Sequence, residues 1–226
     1  MTCGPVKLPR SFYNRPTLDV ARDLLGKVLV HRRRRTAGEL TRGVTAGAIV
    51  EVEAYIGESD PACHAAPGRT RRNAPLYGPP GYSYVYLNYG IHCLVNVVTE
   101  ATNVPAAVLI RALEPVDGIA TMRRRRTRRV KDRRSVHEPE LATPDLCRGP
   151  GNLTTAMGIT LAENRLDLLG DRLFIEDRGA AAGAVVWGPR IGISVGRERP
   201  WRAWLAGNPA VSGDRGRGAD SQRDDG

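Results

Sequence analysis

Apolar residues recur at helical spacing between Thr17 and Leu25, where Leu18, Ala21, Leu24 and Leu25 fall on one stripe. The pattern predicts a short amphipathic helix with Thr17 as its cap and Gly26 as its stop. A strand is predicted from Lys27 to His31. The arginine run Arg32 to Arg35 and the Gly- and Thr-containing stretch up to Gly47 then read as a hairpin loop. The following run, AIVEVEAY from Ala48 to Tyr55, alternates strictly. Ala48, Val50, Val52 and Ala54 are predicted on one face, with Ile49, Glu51, Glu53 and Tyr55 on the other. One face would pack and the other would carry chemistry.

Downstream, the segment Asp60 to Gly81 holds five prolines and three glycines. Such a density of turn residues next to a chemistry-bearing strand reads as an ordered loop lying over something rather than as a linker. Tyr82 to Val98 gives two strand-like runs around Asn88-Tyr89-Gly90, a hairpin signal. AAVLIRAL, from Ala106 to Leu113, predicts another strand, followed by a helix from about Pro115 that runs into a second arginine block. Residues 127–143 read as a flexible, arginine-rich insertion. Strands are again predicted at LFIED (Leu173 to Asp177) and RIGISV (Arg190 to Val195). Residues 1–10 are expected to be a flexible N-terminus and 213–226 a disordered, Gly- and charge-rich tail. No internal repeat is present.

At 226 residues the chain suits one domain, which leaves residues 11–212 as a single globular unit. With 41% hydrophobic and 26% charged residues it has the composition of a folded, water-soluble protein. No apolar run approaches the roughly 20 residues of a membrane span, and the N-terminus lacks a secretory signal pattern, so a cytoplasmic location is expected. The four cysteines, Cys3, Cys63, Cys93 and Cys147, form no C-x-x-C pair and suggest reduced thiols. The formal net charge is +10, and its placement matters more than its size. Arg32 to Arg35 is wholly basic, and residues 123–134 hold nine positive residues against one negative. Local basicity of this kind suits a surface facing a polyanion, with solvated loops as the alternative.

Glu51 and Glu53 stand two apart on one predicted strand face, about 6.7 Å along the backbone. Carboxylates so placed suit hydrolysis at an anomeric carbon, where one group activates water against an oxocarbenium-like centre, although paired acids on a strand are commonly just solvated. Five tyrosines, Tyr77, Tyr82, Tyr84, Tyr86 and Tyr89, fall within thirteen residues, and Tyr55 shares the predicted face of Glu53. Their rings could stack on bases or, at period two, form a core stripe. Tyr89 at a hairpin tip is harder to assign to a core. It could wedge into a base stack and fill the gap left by an extruded nucleotide. Cys63-His64 and His92-Cys93 offer a second reading as zinc ligands, but neighbouring strand residues point to opposite faces, and no metal is expected. GPGNLTTAMGI, from Gly149 to Ile159, is a Gly-rich turn opening a helix. It lacks the G-K-[ST] of a P-loop.

Taken in order, VEVEAYIGESDPACH, PPGYSYVYLNYGIHCLVNVV, LIRALEP, CRGPGNLTTAMGI, GPRIGIS and PWRAWLAGNPAVS resemble the alkyladenine (3-methyladenine) DNA glycosylase family from about Ser11 to Ser212. The resemblance implies an α+β fold: one domain around a curved, mainly antiparallel sheet with surrounding helices and a DNA-inserting β-hairpin. It implies hydrolysis of the N-glycosidic bond of alkylated or deaminated purines flipped out of duplex DNA, leaving an abasic site, with no cofactor. On matching positions, Glu53 would be the general base and Arg111 would help hold the water. Tyr55, His64 and Tyr86 would line the pocket and stack on the base, Asn96 would exclude normal guanine, and Tyr89 would intercalate. Glu51 becomes a structural neighbour.

None of the three lysines, Lys7, Lys27 and Lys131, lies in a matching block, so no amine nucleophile is available and a monofunctional enzyme is expected. A monomer acting at the nucleoid is the corresponding picture. Two features depart from the family pattern: the 127–143 insertion, and polar Asn88 before the wedge tyrosine. The rival reading is a nucleic-acid-binding module without catalysis. The combination of Glu53, Tyr55 and His64 favours the enzyme, because a pure binder gains nothing from an anionic Glu facing phosphates.

Overall fold

A computed structural model describes residues 4–33, 43–131 and 140–213. Its elements run β1 (Val6–Lys7), α1 (Arg10–Tyr13), α2 (Thr17–Leu24), β2 (Val28–Arg32), β3 (Val44–Ile56), β4 (Ser83–Asn88), β5 (His92–Val98), β6 (Ala106–Asp117), α3 (Ile119–Lys131), α4 (Pro150–Met157), β7 (Leu173–Asp177), β8 (Val185–Gly188) and β9 (Arg202–Leu205). The strands form one sheet in the order β1-β7-β2-β3-β6-β5-β4, with β9 joining β3 to β8. Every pairing among the described residues is antiparallel, so the fold is α+β.

The thirteen-residue strand β3 organises the sheet. One edge runs along β6, while the other pairs first with β2 through residues 44–48 and then with β9 through Glu51–Glu53. The register against β6 shifts on both sides of Glu51. Such a bulge inserts a residue into one strand and resets which side chains face which layer. The strict alternation predicted for Ala48 to Tyr55 is therefore broken. Ile49 joins Val52 and Ala54 in the main core rather than sharing the face of the glutamates, and Val50 packs with Ala112 and Ala210. Past the bulge the alternation resumes, with Val52 and Ala54 inward and Glu51, Glu53 and Tyr55 on the opposite face.

The main core fills the space between the sheet and the helices. Leu24 of α2, Met122 of α3 and Leu153 and Met157 of α4 pack against Val52, Ile110 and Val85. The other side of the sheet is covered by the proline-rich loop after β3. There Cys63, Leu76 and Tyr77 bury against Tyr84 and Ala107. That loop is held by Asn73, whose side-chain amide donates to the carbonyls of His64 (2.7 Å) and Gly68 (2.8 Å) and accepts from the Thr70 N–H (2.7 Å).

Four local expectations change. Thr17 is the first residue of α2 rather than its cap, and its buried hydroxyl donates to Glu100 at 2.5 Å. The helix expected from Pro115 starts at Ile119, because Pro115 lies in β6 opposite Gly47, at a register shift where a missing N–H is tolerated. Gly118 makes the turn with φ +75°, and a Cβ there would collide with the Val44 carbonyl. RIGISV is not a strand, whereas β8 and β9 on either side of it are. In the N-terminus expected to be flexible, Val6–Lys7 pairs with β7 and Arg10 opens α1.

The insertion expected at 127–143 begins inside α3, and residues 132–139 lie outside the described residues, as do 34–42 of the first arginine region and 214–226 of the tail. Arg123, Arg125 and Arg126 of α3 are engaged within the protein. Arg123 pairs with Glu140 at 2.7 Å, Arg125 donates to the Ala156 carbonyl near the C-terminus of α4, and Arg126 donates to the Leu146 carbonyl. A cation at a helix C-terminus offsets the helix dipole. Of the four arginines from Arg123 to Arg126, Arg124 is the exposed one, while the side chains of residues 128–134 lie outside what the structure describes.

Candidate active site

Beyond the bulge, β3 sends Glu51 and Glu53 to the loop-covered side of the sheet, where both are completely buried. Buried carboxylates need donors to replace water, and β6 supplies the first, since Arg111 forks between them. Its Nε donates to Glu51 at 2.9 Å, and its Nη1 stands 3.0 Å from Glu53. Burial opposes the charge of Arg111, but Glu53 and Glu51 together hold its pKa above the ordinary value.

The two carboxylates then differ. Glu51 also accepts from Arg202 Nε at 2.7 Å and from the Ser212 N–H at 2.7 Å, so both its oxygens are tied into β9 and the segment after it. Glu53 accepts from the Ile191 N–H at 2.7 Å on Oε1 and from the Tyr55 hydroxyl at 2.8 Å on Oε2. Three groups that hold Glu53, namely Tyr55, Arg111 and Ile191, line one cavity of about 400 Å³. The Glu53 carboxylate lies directly behind that wall. Burial, and then the neighbouring Glu53 charge, push the Tyr55 phenol far up, so it remains a proton donor to the carboxylate.

The cavity also gathers His64 from the proline-rich loop, Tyr84 and Tyr86 from β4, Asn96 from β5 and Tyr89 from the hairpin tip. His64 Nδ1 lies 2.8 Å from the Tyr84 hydroxyl, and its ring meets Tyr86 at 4.4 Å between centroids. Burial, followed by the charge of Arg72, lowers the His64 pKa below 6.5, which keeps the imidazole neutral at physiological pH. The Asn96 amide donates to the Tyr84 carbonyl at 3.0 Å. Tyr82, the third member of the period-two stripe, turns elsewhere and lies under Arg10. At the tip, Tyr89 is 87% exposed. Tyr89 (φ +48°) and Gly90 (φ +70°) are both left-handed, which a tight hairpin of this twist requires.

All seven residues singled out by sequence, Glu53, Tyr55, His64, Tyr86, Tyr89, Asn96 and Arg111, thus converge on one cavity or, for Glu53, directly behind its wall. The zinc alternative loses its geometry: among the described residues no group of three or more His, Cys, Asp or Glu could hold a metal. Cys63 is instead buried under Tyr84, where burial pushes its thiol up to about 11.

Sequence reasoning missed the pair that fixes the roof. Arg190 and Asp60, both fully buried, form a two-pronged ion pair at 2.6 and 2.8 Å. Arg190 also donates to the Ala54 carbonyl at 3.0 Å and lies over the Tyr55 ring at 4.7 Å. This clamp presents the next residue, Ile191, to Glu53. The available signal was an Asp and an Arg inside the two blocks ESDPACH and GPRIGIS, but nothing in sequence joins residues 130 apart.

Residues 11–209 match the family model described as methylpurine-DNA glycosylase (MPG). The chain is 47% identical over 209 residues to a protein of Methanocella arvoryzae, covering 91% of this chain and 95% of that one. A Burkholderia cenocepacia protein is 44% identical, with 91% of each chain covered. A Rhodopseudomonas palustris protein is 47% identical, with 92% of each covered. All three bear a 3-methyladenine DNA glycosylase name.

Proposed function

From the premise that the chain belongs to the methylpurine-DNA glycosylase family, and is therefore a DNA-repair glycosylase acting in base excision repair, we propose how its cavity does the chemistry. A damaged purine, such as 3-methyladenine or hypoxanthine, leaves the duplex and enters between Tyr55 on one side and His64 and Tyr86 on the other. Stacking of this kind is worth about 1 to 3 kcal/mol per base. Extrusion is least unfavourable for a damaged or mispaired base, which supplies part of the selectivity. Asn96, held by the Tyr84 carbonyl, crowds the exocyclic amine that distinguishes guanine. Tyr89 occupies the vacated position in the stack.

Glu53 takes the proton of a water that attacks C1′ as the bond to the purine breaks. The observation that carries this assignment is the contrast with Glu51. Glu51 has both oxygens committed to Arg111, Arg202 and Ser212, whereas Glu53 is held by the groups that line the cavity. Arg111 and the Ile191 N–H orient its carboxylate, and the Tyr55 phenol fixes the second oxygen. The mechanism uses no cofactor and no covalent enzyme intermediate, and one copy of the chain acts on one lesion at the nucleoid.

Duplexes carrying a single hypoxanthine, and separately methylated DNA, test the reading through release of free purine and formation of alkali-labile abasic sites. Release from either supports it. Binding of both duplexes without release from either would leave a binding module. A borohydride-trapped protein–DNA adduct would contradict the monofunctional assignment.

A further inference from the structure

With the purine between Tyr55 and the His64–Tyr86 pair, and Tyr89 in its place in the stack, the rest of the flipped nucleotide has a defined path. Its sugar and flanking phosphates must run from the cavity back to the duplex past the stretch between Tyr86 and Tyr89. Only residues 87 and 88 separate those two tyrosines along the chain. Leu87 is exposed and is not among the residues lining the cavity, whereas Asn88 lines it.

The strand explains the difference. Side chains alternate along β4, so Tyr84, Tyr86 and Asn88 share one face, and all three line the cavity. The period-two stripe expected at Tyr82, Tyr84 and Tyr86 is therefore shifted one step toward the mouth and ends on an amide. The backbone of Asn88 is fixed. It pairs with His92 across the hairpin, and its carbonyl accepts from the Ile91 N–H at 3.0 Å, closing the turn that carries Tyr89. Its half-buried side chain, in contrast, makes no hydrogen bond with any other described residue. Asn96, deeper in the cavity, has its amide committed to the Tyr84 carbonyl. Asn88 thus offers two unused N–H donors from a rigid backbone at the mouth. Phosphate oxygens accept such bonds, which fix the position of the nucleic acid without reading its sequence.

We propose that the Asn88 side-chain amide donates a hydrogen bond to a phosphate flanking the flipped nucleotide and so holds that nucleotide extruded while Tyr89 fills the gap. The proposal rests on the assignment of this cavity to the flipped base. It also gives a role to the polar residue that departs from the family pattern before the wedge tyrosine. Because the contact is to the backbone, it serves every lesion alike.

The test is a cycle between protein and DNA. The kcat/KM for base release is measured for wild type, Asn88→Ala and Asn88→Asp on hypoxanthine duplex, and on two duplexes in which the phosphate 5′ or 3′ of the lesion is replaced by an uncharged methylphosphonate. Asn88→Ala is expected to lower kcat/KM about tenfold on the natural duplex, the low end for a hydrogen bond to a charged group. Asn88→Asp, of the same shape but facing phosphate with an anion, should lose more. On one of the two methylphosphonate duplexes both losses should shrink to about twofold or less, since the charged partner is already gone. On 7-methylguanine duplex the Asn88→Ala loss should equal that on hypoxanthine. Losses undiminished on both methylphosphonate duplexes would make Asn88 a structural support of the turn and overturn the proposal. A loss confined to one lesion would move the contact to the base, and no loss would remove it; either result overturns the proposal as well. Failure of the wild type to release base from any duplex would instead overturn the underlying assignment, and the proposal with it.

Discussion

Behind the cavity wall, Glu53 is wholly buried and held by Arg111, Tyr55 and the Ile191 backbone, whereas Tyr89, at the hairpin tip bordering the same cavity, leaves 87% of its surface to solvent. The buried floor is a polar network in which charges are matched and donors satisfied, so removing one member leaves others unpaired in a low-dielectric interior. The tip carries exposed Leu87, Tyr89 and Ile91. On the proposed reading, chemistry is built where the fold is over-determined, and DNA engagement where a side chain can be changed without structural consequence. The two regions should fail differently.

The largest structural loss is expected beside the floor. Asp60→Ala leaves Arg190 buried without its partner, which costs about 3 to 5 kcal/mol. Chemical denaturation should show a clearly lower midpoint, and base release should fall because Ile191 is no longer presented to Glu53. A stability change under about 1 kcal/mol would mean that the roof is not clamped by this pair.

At the tip, Tyr89→Ala should weaken binding to lesion duplex by about 1 to 3 kcal/mol. Its denaturation midpoint should stay at the wild-type value, as for a surface substitution away from any network. Coupled losses of stability and binding would erase the distinction between floor and tip.

A smaller and pH-limited effect lies away from both regions, at Glu163. Burial alone would raise its pKa, but the His31 imidazole, whose Nε2 lies 3.6 Å away, and hydrogen bonds from Thr160 bring it down from 4.5 to about 2. A carboxyl whose folded value is depressed adds stability above its unfolded value, and that stability is lost as pH falls through the folded one. The Glu163→Gln protein should therefore lose less stability than wild type between pH 4.5 and 2. Identical acid profiles would remove Glu163 from the account.

Legibility in the sequence follows the same division. Apolar periodicity and short apolar runs found α2, β2, the β4–β5 hairpin and the start of β6, because each packs against the core. They failed where a bulge resets the face, which moved Ile49 inward, and where buried polar partners decide the conformation, as in RIGISV. There Arg190 and Ile191 serve Asp60 and Glu53, and an apolar-rich run becomes loop instead of strand. Pro115 looked like a helix start because its tolerance at a sheet irregularity depends on a partner strand. In α3, composition could not show that Arg125 and Arg126 end on carbonyls. The ordered resemblance blocks found the cavity residues, yet the different commitments of Glu51 and Glu53 emerged only from the donors around each.

The central claim is that Glu53 activates water, and its most direct test is single-turnover base release from hypoxanthine duplex by Glu53→Gln beside wild type, with binding measured on the same duplex. The account predicts binding within a few-fold of wild type and a loss of cleavage of roughly 10² to 10⁴, the range for a general base. Cleavage at near wild-type rate with binding intact would contradict it.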